Sequence, residues 1–570
     1  MIGLVLHINN NFSSKVPKYV GENKRYKYLY PKFDYKSHKT VHEKNGISVI
    51  YQGLVKKNAY LSEFSEILSL YTQYKENIFN KLDSEYSLII YDKNNKILIA
   101  GRDRYGVKPL YYYKSKTELI ISDNIKYIKE KIAPIINNKW VYSSLTGVIY
   151  NKTDTFFQNI KKIPPAHYLK FENNKLSIIR YWKLKKQKIN NNSIYYHIDN
   201  IRNLLIESVE KRIINKTGAE LSGGLDSSSI VGILSKSINN LHTYSHALPD
   251  NLLNSFPPYN DEREYFNSVL NLNNITQYNK KIFCNNIGIF DIIKNELKIQ
   301  SVPINNTLPY LSHQLLNLAK QDNIKTIFSG FGGDEGISNQ GSFMLYYWAR
   351  NFNIYKLIKY NKNFVKHIIN AFYTKNNTII YNSSYFFMNK EFVLDNKLDK
   401  MYINHFEKKN YKNLSEFIYH KLDENYIPNR IELFQQTATY RGINYSFPLL
   451  DHKLLEYYYS IPDNYKYYNA SKRYIFKEAI KDFIPKNVLE RNNKYGATVP
   501  NVIHRFMIDY DKIYDYLQAS KTGKASEFID IEKMIKKMEL IKHLYNGNKI
   551  RANQHIFFNA LMLIMYLNKD

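Results

Sequence analysis

The residues in this chain best suited to chemistry are Leu221, Ser222, Gly223, Gly224, Leu225, Asp226, Ser227 and Ser228. An apolar-leaning segment from Gly218 to Leu221 runs into the two glycines. A helical pattern follows at once through Ile230, Val231, Ile233 and Leu234. This order predicts strand, tight turn, helix. Glycines let a backbone close around an anion, and the free N–H groups at a helix start point at it. Ser222, Ser227 and Ser228 add hydroxyl donors. Asp226 sets a carboxylate beside the anion, which suits a divalent cation bridging the two. The spacing is not that of a Walker A loop. The alternative reading is a glycine-rich turn without chemical meaning, and the complete Ser-Gly-Gly-x-Asp-Ser order at a strand–helix junction argues against it.

The chain has 570 residues, enough for two to four domains. Its 44% hydrophobic and 15% aromatic content fits a globular protein, and no apolar run is long enough to span a membrane. The segment Met1 to Asn9 lacks a basic lead and does not read as a signal peptide. A single cysteine, Cys284, excludes an intramolecular disulfide and a cysteine zinc cluster, so a reducing cytoplasm is the expected home. The net charge of +30 raises the question of nucleic acid. However, the lysines are scattered among asparagines. With 53 tyrosines, the composition looks like the codon bias of an AT-rich genome.

Residues 1–185 carry short alternating segments: Ile47 to Gln52, Tyr86 to Tyr91, Lys96 to Ala100, Leu110 to Tyr113, Glu118 to Ser122, His167 to Phe171 and Leu176 to Trp182. With a helix near Ser62 to Tyr74, they predict a β-rich sandwich domain. Polar residues 183–193 form a linker. From 194 the pattern alternates: helix 195–214, strand 218–222, helix 226–238, strand 241–247, helices 261–272 and 308–321, strand 325–329. That alternation implies a parallel sheet covered by helices. Beyond about 340 the chain reads as mostly helical, so residues 194–570 form the second expected domain and the class is α/β and α+β.

The loop at Ser222–Ser228 resembles the pyrophosphate-binding loop of enzymes that cleave ATP between the α and β phosphates. Together with later blocks it resembles the asparagine synthetase family. Those blocks are His242 to His246, Asp261-Glu262, Ile327 to Glu335 with Ser329-Gly330-Phe331-Gly332-Gly333-Asp334 inside it, Phe447 to Asp451, Ile461-Pro462 and Arg491 to Gly496. In the first half, Ala100 to Tyr112, Ile163-Pro164-Pro165 and Tyr181-Trp182 are similar to that family's class II glutamine amidotransferase domain. The resemblance implies an N-terminal Ntn-type amidotransferase-like sandwich and a C-terminal adenine nucleotide α-hydrolase-like domain. It implies ATP and Mg²⁺, with Asp226 and Asp334 on the metal. Leu221, Ser222, Gly223, Gly224, Leu225, Asp226, Ser227, Ser228, His246, Ser329 and Gly330 would hold the nucleotide, and Lys494 would meet charge developing in the reaction. The alternatives are helix caps for the two aspartates and a surface cation for Lys494.

The departures from the family pattern shape the expected activity. The family's glutaminases use an N-terminal cysteine, where this chain has Ile2. Their Asn-Gly-Glu block is Gln52-Gly53-Leu54 here, and an aliphatic side chain cannot pair with an α-amino group. Acyl transfer needs a nucleophile, so the first domain is expected to keep its fold and lose glutamine hydrolysis. Phe331 fills a slot that carries Glu in asparagine synthetases and Tyr in β-lactam synthetases, and Phe moves no proton. His246 is a candidate base whose plainer reading is a packed histidine. Asn444 and Ser446 replace a Glu-x-Arg pair, which argues against aspartate as substrate. The expected activity is an ATP-dependent ligase that adenylates a carboxylate for attack by an amine, as in β-lactam synthetases and lasso-peptide cyclases. The rivals are an ammonia-using asparagine synthetase, a non-catalytic family member and an RNA-modifying enzyme. The expected partners are the carboxylate and amine substrates, small molecule or peptide, with no membrane, and nucleic acid is not expected. A homodimer stays open.

Overall fold

The computed structural model describes residues 5–9, 41–53, 63–147, 149–189, 193–214, 216–255, 261–283, 287–305, 309–339, 348, 355, 387–396, 411–424, 426–468, 471–491, 498–546 and 555–568. The chain divides into two compact units. One comprises residues 1–183 with 296–307 and 425–442, and the other comprises the remainder.

Among the described residues the first unit holds ten strands: β1 (Val5–Asn9), β2 (Val41–Lys44), β3 (Ile47–Gly53), β4 (Tyr86–Asp92), β5 (Ile97–Arg102), β6 (Tyr111–Lys114), β7 (Glu118–Ser122), β8 (Lys161–Lys162), β9 (His167–Glu172) and β10 (Lys175–Arg180). They form an antiparallel six-stranded sheet, β10-β9-β5-β4-β3-β2, and a four-stranded one, β1-β7-β6-β8. Strand side chains alternate between faces, and both faces of the larger sheet are apolar. Ile50, Ile89, Leu98 and Ala100 pack with Leu119 and Ile121 of the smaller sheet. Val49, Leu88, Ile90 and Ile99 face the other way, onto Ile67 and Tyr71 of helix Glu63–Tyr74. This is the expected sandwich, with strand ends within two residues of those read from alternation.

The expected second domain, residues 194–570, is interrupted. Helix Tyr426–Thr439 groups with the first unit, and its buried Glu432 shows why. That carboxylate accepts from Tyr111 Oη at 2.5 Å and pairs with Arg102 at 3.3 Å and Lys162 at 2.9 Å. Burial alone would raise its pKa, but Lys162 and Arg102 outweigh burial and hold the carboxyl below the usual range. Arg102, on β5, is 1% exposed. The next residue, Asp103, accepts from the backbone N–H groups of Tyr105, Gly106, Val107 and Lys108. The Arg102–Tyr113 segment is therefore a buried turn and strand.

The second unit centres on five parallel strands: β11 (Thr217–Glu220), β12 (His242–His246), β13 (Asn279–Ile282), β14 (Thr326–Phe328) and β15 (Asn444–Ser446), in the order β13-β12-β11-β14-β15. The chain steps outward from β11 to β12 and β13, then reverses to β14 and β15. The reversal leaves a crevice at the carboxyl ends of β11 and β14, which is where open α/β sheets bind ligands. Helices Ile194–Glu210, Leu225–Ser237, Arg263–Leu272 and Pro309–Gln321 match the sequence reading. Strands β13 and β15 do not appear in it. β13 is a polar edge strand and β15 is three residues long. Among the described residues, no helix is long and apolar enough to cross a membrane.

Candidate functional site

Strand β11 ends at Glu220, and the helix beginning at Leu225 follows a four-residue turn. Gly223 lies at φ +67°, a backbone conformation that side-chain-bearing residues rarely adopt. The turn is closed by its own serines. Ser227 Oγ accepts from Ser222 N at 3.1 Å and lies 3.1 Å from Ser222 Oγ. Leu221 N donates to Tyr244 O of β12, anchoring the turn to the sheet. Ser228 is fully buried, and its hydroxyl has no hydrogen-bond partner among the described residues. A buried hydroxyl left unpaired is costly, and a phosphate oxygen at the helix start would satisfy it.

The second half of the site follows β14. Gly330 lies so close to the helix start that a Cβ there would sit 2.6 Å from Ser227 N. A Cβ on Gly333 would sit 2.6 Å from Asp226 Oδ1. The turn Ser329–Asp334 is thus interlocked with the serine-glycine turn, as sequence spacing could not reveal. Asp334 is 60% exposed and pairs with Arg473 at 2.6 Å. Two carboxylates on abutting turns are hard oxygen donors of the kind Mg²⁺ takes, with phosphate oxygens completing the shell. Asp226 and Asp334 therefore fit the implied ion, although Asp334 must share itself with Arg473 or leave it.

Other expected site residues are distributed around this pair of turns. His246 closes β12. Desolvation first, then the Arg505 guanidinium, holds its imidazole down to about 4. A neutral imidazole with so low a pKa is a weak base near neutral pH, which favours the packed-histidine reading of His246. Phe331 donates its N–H to Ser329 Oγ at 3.3 Å and sets its ring edge-on to Phe447, centroids 6.2 Å apart. Asp451 caps helix His452–Ser460, accepting from Lys453 N and Leu454 N, and pairs with Lys211 and Arg212. Ile2, Leu54, Cys284 and Lys494 lie outside the described residues.

Two features escaped the sequence reading. Arg491 donates to Gly223 O and to Glu262 Oε1, both at 3.3 Å, and its guanidinium stacks 3.9 Å from the Tyr265 ring centroid. It braces the serine-glycine turn from behind. The second is Glu220, a charged residue directly before the turn. A carboxylate closing an otherwise uncharged strand was the signal that could have drawn attention to it.

The family model described as Asparagine synthase matches residues 200–565, and the one described as Glutamine amidotransferase domain matches residues 56–182. Asparagine synthetase (glutamine-hydrolyzing) 3 of Bacillus subtilis (strain 168) is 24% identical over 75% of this chain and 70% of its own length. A protein of Methanocaldococcus jannaschii named putative asparagine synthetase (glutamine-hydrolyzing) 2 is 28% identical over 47% of this chain and 52% of its own. Amidase chyE of Penicillium rubens is 29% identical over 34% of this chain and 30% of its own. The chain thus spans most of the first relative and about half or less of the other two. The asparagine synthase match covers both interlocked turns and the parallel sheet that presents them, so the chain belongs to the asparagine synthase family.

Proposed function

We propose that this chain is an ATP-dependent amide-forming ligase. It adenylates a carboxylate, releases pyrophosphate and lets an amine displace AMP, without hydrolysing glutamine. The observation that carries the reading is the interlock of Gly330 and Gly333 with Ser227 and Asp226 at the sheet's reversal point. It gathers hydroxyls, helix N–H groups and two carboxylates around one crevice.

In this reading the turn Ser222–Ser228 holds the leaving pyrophosphate, with Ser228 Oγ and the first N–H groups of the helix as donors. Asp226 and Asp334 hold Mg²⁺, which supplies charge neutralisation at the phosphates. Lys494 meets charge developing on the reacting carbonyl or phosphate. The loss of glutamine hydrolysis is supported by Leu54 in the Gln52-Gly53-Leu54 block and by the placement of Cys284 far along the chain from that block. The relatives named asparagine synthetase favour a second reading, aspartate amidated by ammonia. Asn444 and Ser446 speak against it.

The test supplies Mg²⁺ and ATP with aspartate, or with a panel of amino-acid and peptide carboxylates, and follows nucleotide products. Carboxylate-dependent AMP and pyrophosphate are expected, and glutamine should yield no glutamate. ADP and phosphate as sole products would overturn the ligase reading. Asparagine formed from aspartate and ammonia at a rate above every other carboxylate would establish the second one.

A further inference from the structure

Glu220 ends β11, and its carboxylate is held from two neighbouring strands. Oε2 accepts from Ser329 Oγ at 2.7 Å, and Oε1 accepts from Tyr445 Oη at 2.7 Å. The register makes this possible. Ala219 pairs with Phe328 and Phe328 with Ser446, so Glu220 stands level with Ser329, and Tyr445 reaches it past β14. Ser329 is further committed. Its hydroxyl accepts from Phe331 N, and its own N–H donates to Ser446 O at 3.0 Å. One carboxylate therefore ties together the carboxyl ends of β11, β14 and β15, on the two sides of the reversal crevice.

We propose that Glu220 is a positioning residue for the nucleotide chemistry. It sets the spacing between the serine-glycine turn, which follows it directly, and the Ser329–Asp334 turn. The proposal rests on the ligase reading above. Glu220 acts through Ser329 and through the strand it ends, not by touching phosphate. An aliphatic residue here would leave the Ser329 and Tyr445 hydroxyls without their acceptor. Tyr445 is 1% exposed and Ser329 6%, so water would replace that acceptor poorly. An Asp would fall one methylene short of both. A charged acceptor also makes each of these bonds stronger than a neutral one would.

The experiment compares Glu220→Ala, Glu220→Gln, Ser329→Ala and the double variant Glu220→Ala/Ser329→Ala. It measures ATP affinity in the presence of Mg²⁺ by calorimetry, and hydrogen exchange across residues 329–333 without nucleotide. Glu220→Ala should weaken ATP binding by about tenfold, the scale of one lost charge-assisted hydrogen bond, and should speed exchange in that turn. Glu220→Gln keeps an oxygen for one hydroxyl and offers an amide to the other, so it should stay within about threefold of wild type on the same scale. Ser329→Ala should cost little more once Glu220 is gone, because both act through one contact. Wild-type affinity and exchange in Glu220→Ala would overturn the proposal. So would a Gln variant as poor as Ala, or full additivity in the double variant. If the wild-type protein itself bound no ATP, the ligase reading would fall. The exchange data alone would then decide Glu220, with unchanged protection in Glu220→Ala counting against it.

Discussion

Replacing Gly330 by alanine adds one methyl group where two turns meet. The new Cβ would lie 2.6 Å from Ser227 N, 2.8 Å from Asp226 C and 3.0 Å from Asp226 Cβ. Comfortable contacts of this kind begin near 3.5 Å, so the turns must part by up to about 1 Å. The nearest obstacles are backbone at the start of a buried helix, and no flexible side chain can swing aside to make room. Overpacking of this sort costs about 1–3 kcal/mol. A displacement of about 1 Å between catalytic groups costs roughly a hundredfold in rate. Gly330→Ala should therefore lower the urea midpoint of the second unit and reduce ATP–pyrophosphate exchange by about a hundredfold. Both quantities are measured against wild type, with exchange run on whichever carboxylate supports it. Unchanged stability together with unchanged exchange would refute the interlock on which the site is built.

Asp226→Asn and Asp334→Asn should each slow exchange by roughly a hundredfold, about 3 kcal/mol of lost transition-state stabilisation; wild-type exchange in both would move the metal elsewhere. Lys494→Ala should leave ATP affinity, read by calorimetry, nearly unchanged and cut amide product, read by mass spectrometry, by about a hundredfold. Glu432→Ala leaves Arg102 buried without its carboxylate and should cost about 3–5 kcal/mol in denaturant unfolding. Because the folded-state pKa of Glu432 is lowered, its stabilisation is complete above the ordinary carboxylate range near pH 4.5 and is lost as pH falls through the folded value. Acid should therefore destabilise wild type more steeply than Glu432→Gln. Cys284→Ser should leave amide formation unaltered, and glutamate release from glutamine should stay at background in both proteins; glutaminase activity lost in the variant would contradict the proposed route of nitrogen.

What the sequence revealed and what it hid divide by range along the chain. The serine-glycine turn was legible because its chemistry is local: a strand, two glycines and a helix start lie within a dozen residues. The sandwich strands were legible because they are short runs rich in β-branched and aromatic residues; a strand buried on both faces, such as Tyr86–Asp92, reads as a nearly continuous apolar run rather than as strict alternation. Helix Tyr426–Thr439 carries nothing local to say that it belongs with residues 1–183, since its partner Arg102 lies 330 positions away. Tyr445 and Glu220 are 225 positions apart, and only the parallel register brings them together. Asn444 and Ser446 were noticed as substitutions in a motif, but three residues cannot announce a strand by periodicity. The brace from Arg491 to Gly223 was hidden in the same way.

The helix that the first unit takes from late in the sequence has a consequence for synthesis. A ribosome making this chain releases Arg102, Tyr111 and Lys162 long before Glu432 emerges. At about 5–20 residues per second, the delay is on the order of 15–60 seconds. Through that interval the sandwich can pair its strands, but buried Arg102 and half-buried Lys162 have no counter-charge, and burying a cation alone is unfavourable. The first unit therefore waits for its final helix although its strands are made first, and the parallel sheet begins to assemble on a nascent chain whose amino-terminal domain is still incomplete. A chain stopped near residue 185 should accumulate as an expanded, aggregation-prone species, and one extended past residue 442 should not.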